Sequence, residues 1–306
     1  MADRRRSPRG GSCLPKAREA RRGGMTTLGA ERRRKTAVRG SVLVLALVFF
    51  LLPLAWTILA SLGVLPDNNT HPPSWRGPIT FDHFSEVGVA EPGFWEELAT
   101  STVSAAFATT LAIASAFLAA YCLARTSFHG RRLVTQGFLV LASLPAMAYV
   151  IPLSDVMRRV HLADTLTGVA LAEAAVTAPL AVYVLHGAIA QLSPEWEEAA
   201  VLDGAGLFRV MGQVVLPLVG PSVAATAIVL FVINWNLLLV PLVLTSGDVK
   251  TVPVAMSDFF TFERELDWPT AAAALVASLV PIALLVAASH RLVERFSLEQ
   301  GTRDIG

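Results

Sequence analysis

Six stretches of this chain are each close to the ~20 residues a helix needs to cross ~30 Å of hydrocarbon, and no other feature restricts its fold as strongly. They are 38–62, 98–123, 133–153, 166–190, 220–244 and 269–289. Inside a bilayer every backbone N–H and C=O must be satisfied by the protein, which leaves helices and closed barrels. None of the six alternates polar and apolar residues as a barrel strand does, so the sequence predicts an all-α membrane protein with six transmembrane helices. The charge content agrees, at 16% Asp, Glu, Lys and Arg against about 25% in soluble domains. The third stretch carries Pro145 and Pro152, with Asp155 close behind. Neighbouring helices can satisfy backbone groups freed by proline, so it is read as one span.

Charge bias sets the orientation. The first 40 residues hold thirteen Lys or Arg against Asp3, Glu19 and Glu31, which places the N-terminus in the cytoplasm. The next loop carries Asp67, Asp82, Glu86, Glu91, Glu96 and Glu97 against Arg76 alone, and faces outside; Arg125, Arg131 and Arg132 mark the following loop as inner. Arg158 and Arg159 fall in a short outer loop and oppose this order mildly. Counting on, 193–221 is cytoplasmic, 245–268 is outside and 291–306 is a cytoplasmic tail. Residues 1–37 read as a basic tail without regular structure, an anchor for topology rather than a nucleic-acid arm. Met25 offers a second start within it. The apolar core of the first span exceeds the 7–15 residues of a secretory signal, so it reads as an uncleaved helix. Trp95 and Trp268 fall where aromatic residues anchor helices at the headgroups. Cys13 and Cys122 form no CxxC pair, and Cys122 reads as a packing residue.

The loop 193–221 is the anomaly: SPEWEEAAVLDGAGLFRVMGQVVLPLVGP gathers acids, an Ala-Ala pair and glycines between two apolar segments. Ser193 suits a helix N-cap and Pro194 the first helical position. Glu195, Glu197 and Glu198 lie where the helix dipole favours negative charge. Gly204 is a C-terminal stop, Gly206 lets a second short helix begin, and Pro217 and Pro221 end it before the fifth span. The predicted unit is a helix-turn-helix along the inner face, with Trp196 packed toward the spans. Small Ala199 and Ala200 leave its first helix open to close approach by another protein.

Glu198-Ala199-Ala200, then Asp203-Gly204 and Leu216-Pro217 at their spacing, resemble the EAA loop of bacterial ABC-importer permeases. Further stretches resemble the smaller six-span permease of the carbohydrate branch, the maltose type: ITFDHFSEV, AAYCLARTSFHGRR, IPLSDVMRRVHLADTLTGV, and NWNLLLVPLVL followed by KTVPVAM. The likeness runs from about Phe81 to Phe296. Departures are Thr100-Ser101 before the second span, His161-Leu162 where Gly-Leu is common, and the tail SLEQGTRDIG. The resemblance implies a cytoplasmic coupling helix seated in a cleft of a partner ATPase, with Glu198, Ala199, Ala200, Asp203, Gly204, Leu216 and Pro217 forming the coupling surface; Arg209, in the second short helix, either joins it by pairing with an acid on the ATPase or is a solvated or headgroup-facing arginine. It also implies a second homologous permease, an extracellular binding protein and a sugar-like solute. An amino-acid or peptide permease is the alternative within this class; a self-contained secondary transporter is the alternative outside it, though six spans are few for one.

No GxxxxGK[ST] phosphate loop or HExxH zinc motif occurs, and the six histidines are scattered. The chain is therefore expected to be a non-catalytic subunit without cofactor or metal. Candidate solute contacts are Glu173, about 10 Å into the fourth span at 1.5 Å per residue, and the trio Asn234, Trp235 and Asn236 in the fifth. A carboxylate mid-span costs about 2.5–3.5 kcal/mol on insertion scales, so it marks a purpose. That purpose is either a solute hydrogen bond or an interhelical one. The trio offers the same choice, an indole and amides for a sugar or a lock between helices.

Overall fold

The computed structural model describes residues 15–64, 66–67, 74–75, 79–89, 91–145, 147–247, 249–257 and 268–303. Residues up to Thr57 form one unit, and those from Ile58 onward form the other. The first unit holds most of helix α1 (Pro15–Ser61), whose apolar part is Val38–Ser61. This differs from the structureless tail expected over 1–37. Residues 1–14 lie outside the described residues, but 15–37 are helical. The run combines a proline at the first helical position with many Ala, Arg, Lys and Glu, all strong helix formers. Its lack of apolar periodicity hid that propensity.

In the second unit a two-residue antiparallel ribbon, β1 (Pro66–Asp67) and β2 (Ser74–Trp75), precedes α2 (Asp82–Glu86). Helix α3 (Pro92–Arg125) and helix α6 (Leu166–Ala190) are each long and apolar enough to span. Between them α4 (Arg131–Ser143) and α5 (Met147–Arg159) meet at a bend of 96°. The third predicted span is therefore broken, not continuous. Leu144 precedes Pro145 and is extended, at ψ 140°, because the ring of a following proline disfavours the helical region.

The fifth predicted span is also divided, into α10 (Gly220–Trp235) and α11 (Leu239–Leu244). Pro241 has no N–H to donate to the carbonyl of Leu237, so the ladder cannot continue through Asn236–Leu238. Helix α12 (Val252–Ser257) follows, and then α13 (Trp268–Arg303), whose described apolar run is Trp268–Leu284. Trp95 and Trp268 are both more than half exposed, and Trp95 Nε1 donates to Val89 O at 2.9 Å. The fold is an all-α multi-pass bundle.

Helix α3 and helix α6 make the most extensive pairing in the bundle. Ala108, Ala112, Ala116 and Ala120 recur every fourth residue on α3 and are fully buried. They share a cluster with Ala170, Ala174, Ala181, Leu185 and Ile189 of α6. Lipid tails are as apolar as leucine, so burial alone does not hold such helices; close approach of small residues and interhelical hydrogen bonds do. Ser104 Oγ donates to Glu173 Oε2 at 2.7 Å across this seam. Asn234 Nδ2 donates to Thr109 Oγ1 at 3.2 Å, tying α10 to α3, and Val252 N donates to Ser101 Oγ at 2.7 Å, tying on α12. Cys122 lies off this seam and is exposed, correcting its expected packing role.

The α5–α6 turn explains one departure from the family pattern. His161 takes φ 57°, the left-handed region where glycine is at ease. Gly168 at the start of α6 is demanded by packing, since a Cβ there would sit 1.8 Å from Leu162 O.

The seam predicts its own sensitivity. Ala112→Leu adds three carbons where α6 leaves no room and is expected to destabilise the bundle by about 1–3 kcal/mol. The measurement is thermal unfolding in detergent; an unchanged midpoint would mean that the α3–α6 contact is not held as described.

Candidate functional site: the loop between α6 and α10

The charged loop folds as predicted in outline. Helix α7 (Glu195–Leu202) opens after Pro194, which already has helical dihedrals of φ −60° and ψ −20°. Three acids occupy its first turn, Glu195, Glu197 and Glu198. It ends at Gly204, whose φ of 84° reverses the chain. Gly204 N donates to Val201 O and Ala205 N to Ala200 O, both at 2.9 Å, so the last carbonyls of α7 are satisfied by a left-handed cap. A Cβ at Gly204 would meet nothing within 4 Å. Glycine is needed there for backbone conformation, not for space.

Helix α8 (Leu207–Val210) leads into a π-helical turn, Met211–Val215, and then into α9 (Leu216–Leu218). Wide turns of this kind are rare in helices and cluster at functional sites. The chain bends by 78° between Leu207–Leu218 and α10. Pro221 cannot donate back to Pro217, so no continuous helix crosses that bend.

One acid holds the loop in place. Glu197 is buried; its Oε2 accepts from Tyr121 Oη at 2.9 Å and its Oε1 from Arg125 Nε at 2.7 Å. Arg125 Nη2 also donates to Leu192 O at 3.2 Å, on the approach to the loop. Tyr121 and Arg125 stand four residues apart on the last turn of α3, hence on one face of that helix. Both carboxylate oxygens are used, and the arginine is shared between the two ends of the contact. Glu198, on the same turn, is exposed, and Glu197 is the acid that holds the loop to α3.

The orientation of α7 follows from that pairing. With Glu197 turned inward, Trp196 is rotated about 100° away and is 62% exposed, correcting its expected packing against the spans. Ala199 is exposed, while Ala200 packs partly against the core. Asp203, Gly204, Arg209, Leu216 and Pro217 are all exposed. Beside them lie Val201, Leu202, Leu207 and Phe208, two exposed apolar pairs, with Leu202 and Phe208 more than 80% exposed. Sequence reading did not single these out; apolar side chains interspersed in a charged, non-spanning segment were the available signal.

The candidate solute contacts are scattered. Glu173 is buried in the α3–α6 seam on Ser104, and Thr177 Oγ1 donates to its backbone carbonyl at 2.9 Å. Asn234 is buried against Thr109, and Trp235 is buried with its ring stacked on Phe231, centroids 6.0 Å apart. Asn236 alone of the trio is exposed, at the α10–α11 break, with Nδ2 donating to Val232 O at 2.7 Å. Among the described residues no three His, Cys, Asp or Glu side chains gather as metal ligands.

This chain is similar to known proteins. The family described as binding-protein-dependent transport system inner membrane component matches residues 108–297, which contain the whole loop and the alanine row from Ala108 to Ala120. The chain is 30% identical over 264 residues to the trehalose transport system permease protein SugB of Mycobacterium tuberculosis, covering 85% of this chain and 93% of that protein. It is 28% identical to the diacetylchitobiose uptake system permease protein NgcG of Streptomyces coelicolor, covering 88% and 89%. The fold is shared with a chain of a bacterial ABC transporter involved in import of the acidic polysaccharide alginate, with a TM-score of 0.67 at 19% identity over 85% of this chain and 97% of that one. A membrane bundle with a loop built this way, matched over most of its length by such proteins, belongs to the family of binding-protein-dependent transport system inner membrane components.

Proposed function

We propose that this chain is the permease subunit of an ATP-driven importer and forms half of the translocation pathway for a sugar or related solute. The observation that carries the reading is the outward face of α7 and α8. It presents Glu198, Ala199, Asp203 and Arg209 beside Trp196, Leu202 and Phe208, while Glu197 holds its back to α3. Exposed apolar side chains rimmed by charge mark a surface that another protein covers. The family match supports a cytoplasmic ATPase as that partner and a bacterial inner membrane as the location, and the charge bias of the first loops supports termini on the cytoplasmic side. A second homologous permease completes the pathway, and an extracellular binding protein delivers solute to it. Hydrolysis is supplied by the ATPase, and this chain is non-catalytic. The named substrates of the relatives, trehalose and diacetylchitobiose, support a sugar rather than an amino acid or peptide.

The transmission follows from the contacts. Closure of the ATPase displaces α7; Glu197 passes that displacement to Arg125 and Tyr121, and α3 carries it along its length to α6, α10 and α12. Alternating access is then a change in how these packed helices meet the second permease. Glu173, Asn234 and Trp235 hold the helices together in this mechanism, and Asn236 is left as the solute contact of the four.

Purification of the tagged chain from its native membrane in mild detergent tests the reading. An ATP-binding cassette subunit and a second permease are expected to co-purify, and the associated binding protein provides the material for a ligand screen. Transport by the chain alone without ATP would replace the importer with a self-contained transporter. Glu198→Trp and Gly204→Val are expected to abolish uptake while the protein stays membrane-inserted and elutes normally. Normal uptake in both would remove the coupling surface. Glu197→Ala leaves Arg125 unpaired and is expected to cost about 3 kcal/mol locally. Its signature is faster proteolytic cleavage at residues 203–206 with little change in global unfolding, and a loop equally protected in that variant would contradict the anchor.

A further inference from the structure

Arg32, Arg33, Arg34, Lys35 and Arg39 place five cations within eight residues, directly at the start of the apolar run of α1. No Asp or Glu occurs between Glu31 and Asp67. Glu31, one turn ahead of Lys35, offsets one cation and leaves a net charge of 5 − 1 = +4. Met1 and Met25 both precede the cluster, so either start retains it.

Helix α1 runs without interruption from Pro15 to Ser61, so the cluster and the apolar run belong to one helix. At about 100° per residue, positions 32 to 35 make nearly a full turn and fall on every side of the axis, and position 39 lies one turn beyond position 35. Seven steps at about 1.5 Å give this collar a height of roughly 10 Å. The polar layer on each side of a bilayer is about 5–8 Å thick, from ~40–45 Å overall and ~30 Å of hydrocarbon. The collar is therefore tall enough to cover the headgroup layer where α1 enters the hydrocarbon. Val38 and Val42, at that level, are 55% and 61% exposed, and a Cβ on Gly40 would meet nothing within 4 Å.

The arrangement of the cations selects among polyanions. A helix that reads nucleic acid lies in a groove and meets phosphates along its length. One that lies flat on a membrane carries its cations on a single face. A short ring with cations on all sides, followed at once by apolar residues, fits a layer of negative charge that the helix pierces. Four of the five cations are arginines, whose guanidinium groups take phosphate oxygens in pairs.

We propose that residues 32–39 form a binding collar for anionic phospholipid headgroups in the leaflet where α1 enters the membrane, the cytoplasmic one by the charge bias of the first loops. Anionic and zwitterionic lipids both carry phosphate, but only the anionic ones leave its charge uncompensated, and a basic cluster beside a span selects them. The collar stands on α1 alone and does not depend on the importer reading.

The test uses the full chain in phosphatidylcholine vesicles, with a bimane fluorophore on Gly40→Cys in a background of Cys13→Ser and Cys122→Ser. Phosphatidylglycerol or phosphatidylcholine bearing the same acyl-chain nitroxide is added at equal content, and quenching of the bimane reports which lipid sits beside the collar. The anionic lipid is expected to be favoured there by about fivefold or more, and ~1 M salt should remove most of that preference. Combined Arg32→Gln, Arg33→Gln, Arg34→Gln and Lys35→Gln should bring the ratio to about one. Combined Arg32→Lys, Arg33→Lys and Arg34→Lys keeps the charge and should keep the preference. Equal quenching by the two lipids in the unaltered collar, or an undiminished ratio in the glutamine variant, overturns the inference. Loss of the ratio in the lysine variant as well would tie it to something other than charge and overturns it equally. Two soluble competitors separate the sources of phosphate: inorganic phosphate at constant ionic strength and single-stranded RNA should each leave the ratio unchanged. Abolition by the first would make the cluster a phosphate-ion site and by the second a nucleic-acid site, and the lipid collar would fall in either case.

Discussion

Everything in the second unit is referred to the seam between α3 and α6. A bilayer supplies no hydrophobic force between helices, so the pair is held by close contact along the alanine row from Ala108 to Ala120 and by polar bonds at its margins. Near one end Ser104 meets Glu173; at the other Tyr121 and Arg125 meet Glu197. One helix therefore carries the membrane-embedded lock and the grip on the peripheral loop. The same helix also holds α10 and α12, through Thr109 and Ser101.

Around this seam the bundle is deliberately interrupted. Pro145 bends α4 against α5, Pro241 separates α10 from α11, and Pro221 turns α9 into α10. Each interruption frees backbone groups that only protein can satisfy at depth. Each also provides a place where two rigid segments change angle without unfolding. The loop from α7 to α9 lies at the third of these bends, beside the only π-helical turn among the described residues. Helix packing fixes the middle of the bundle, and the breaks lie at its edges.

The sequence carried the fold class almost completely, because twenty-residue apolar runs have few alternatives in hydrocarbon. It also carried the stop at Gly204, whose left-handed φ only glycine adopts easily, and the position of the charged loop between two spans. It did not carry the continuity of the spans. Pro145 and Pro241 were visible, but proline inside a membrane helix is tolerated or disruptive according to what its neighbours offer, and that is a tertiary property. The helical run over 15–37 was missed for the opposite reason: propensity was present without an apolar face to reveal it.

The anchoring of the loop was the most consequential thing left to tertiary structure. Glu195, Glu197 and Glu198 are chemically equivalent in the sequence, and all three sit where a helix dipole favours them. What distinguishes Glu197 is a tyrosine and an arginine 76 and 72 residues away, one helical turn apart on α3, and no local pattern links them. The same holds for Glu173, Asn234 and Trp235, whose residue types suit solute or helix contact equally until their partners Ser104, Thr109 and Phe231 are in place. The sequence determined where the long apolar segments and the charged loop between two of them lie, because those depend on composition and spacing along the chain. Only the tertiary structure decided which acid holds that loop and which polar residues are already committed to other helices, because a hydrogen bond depends on distance in space.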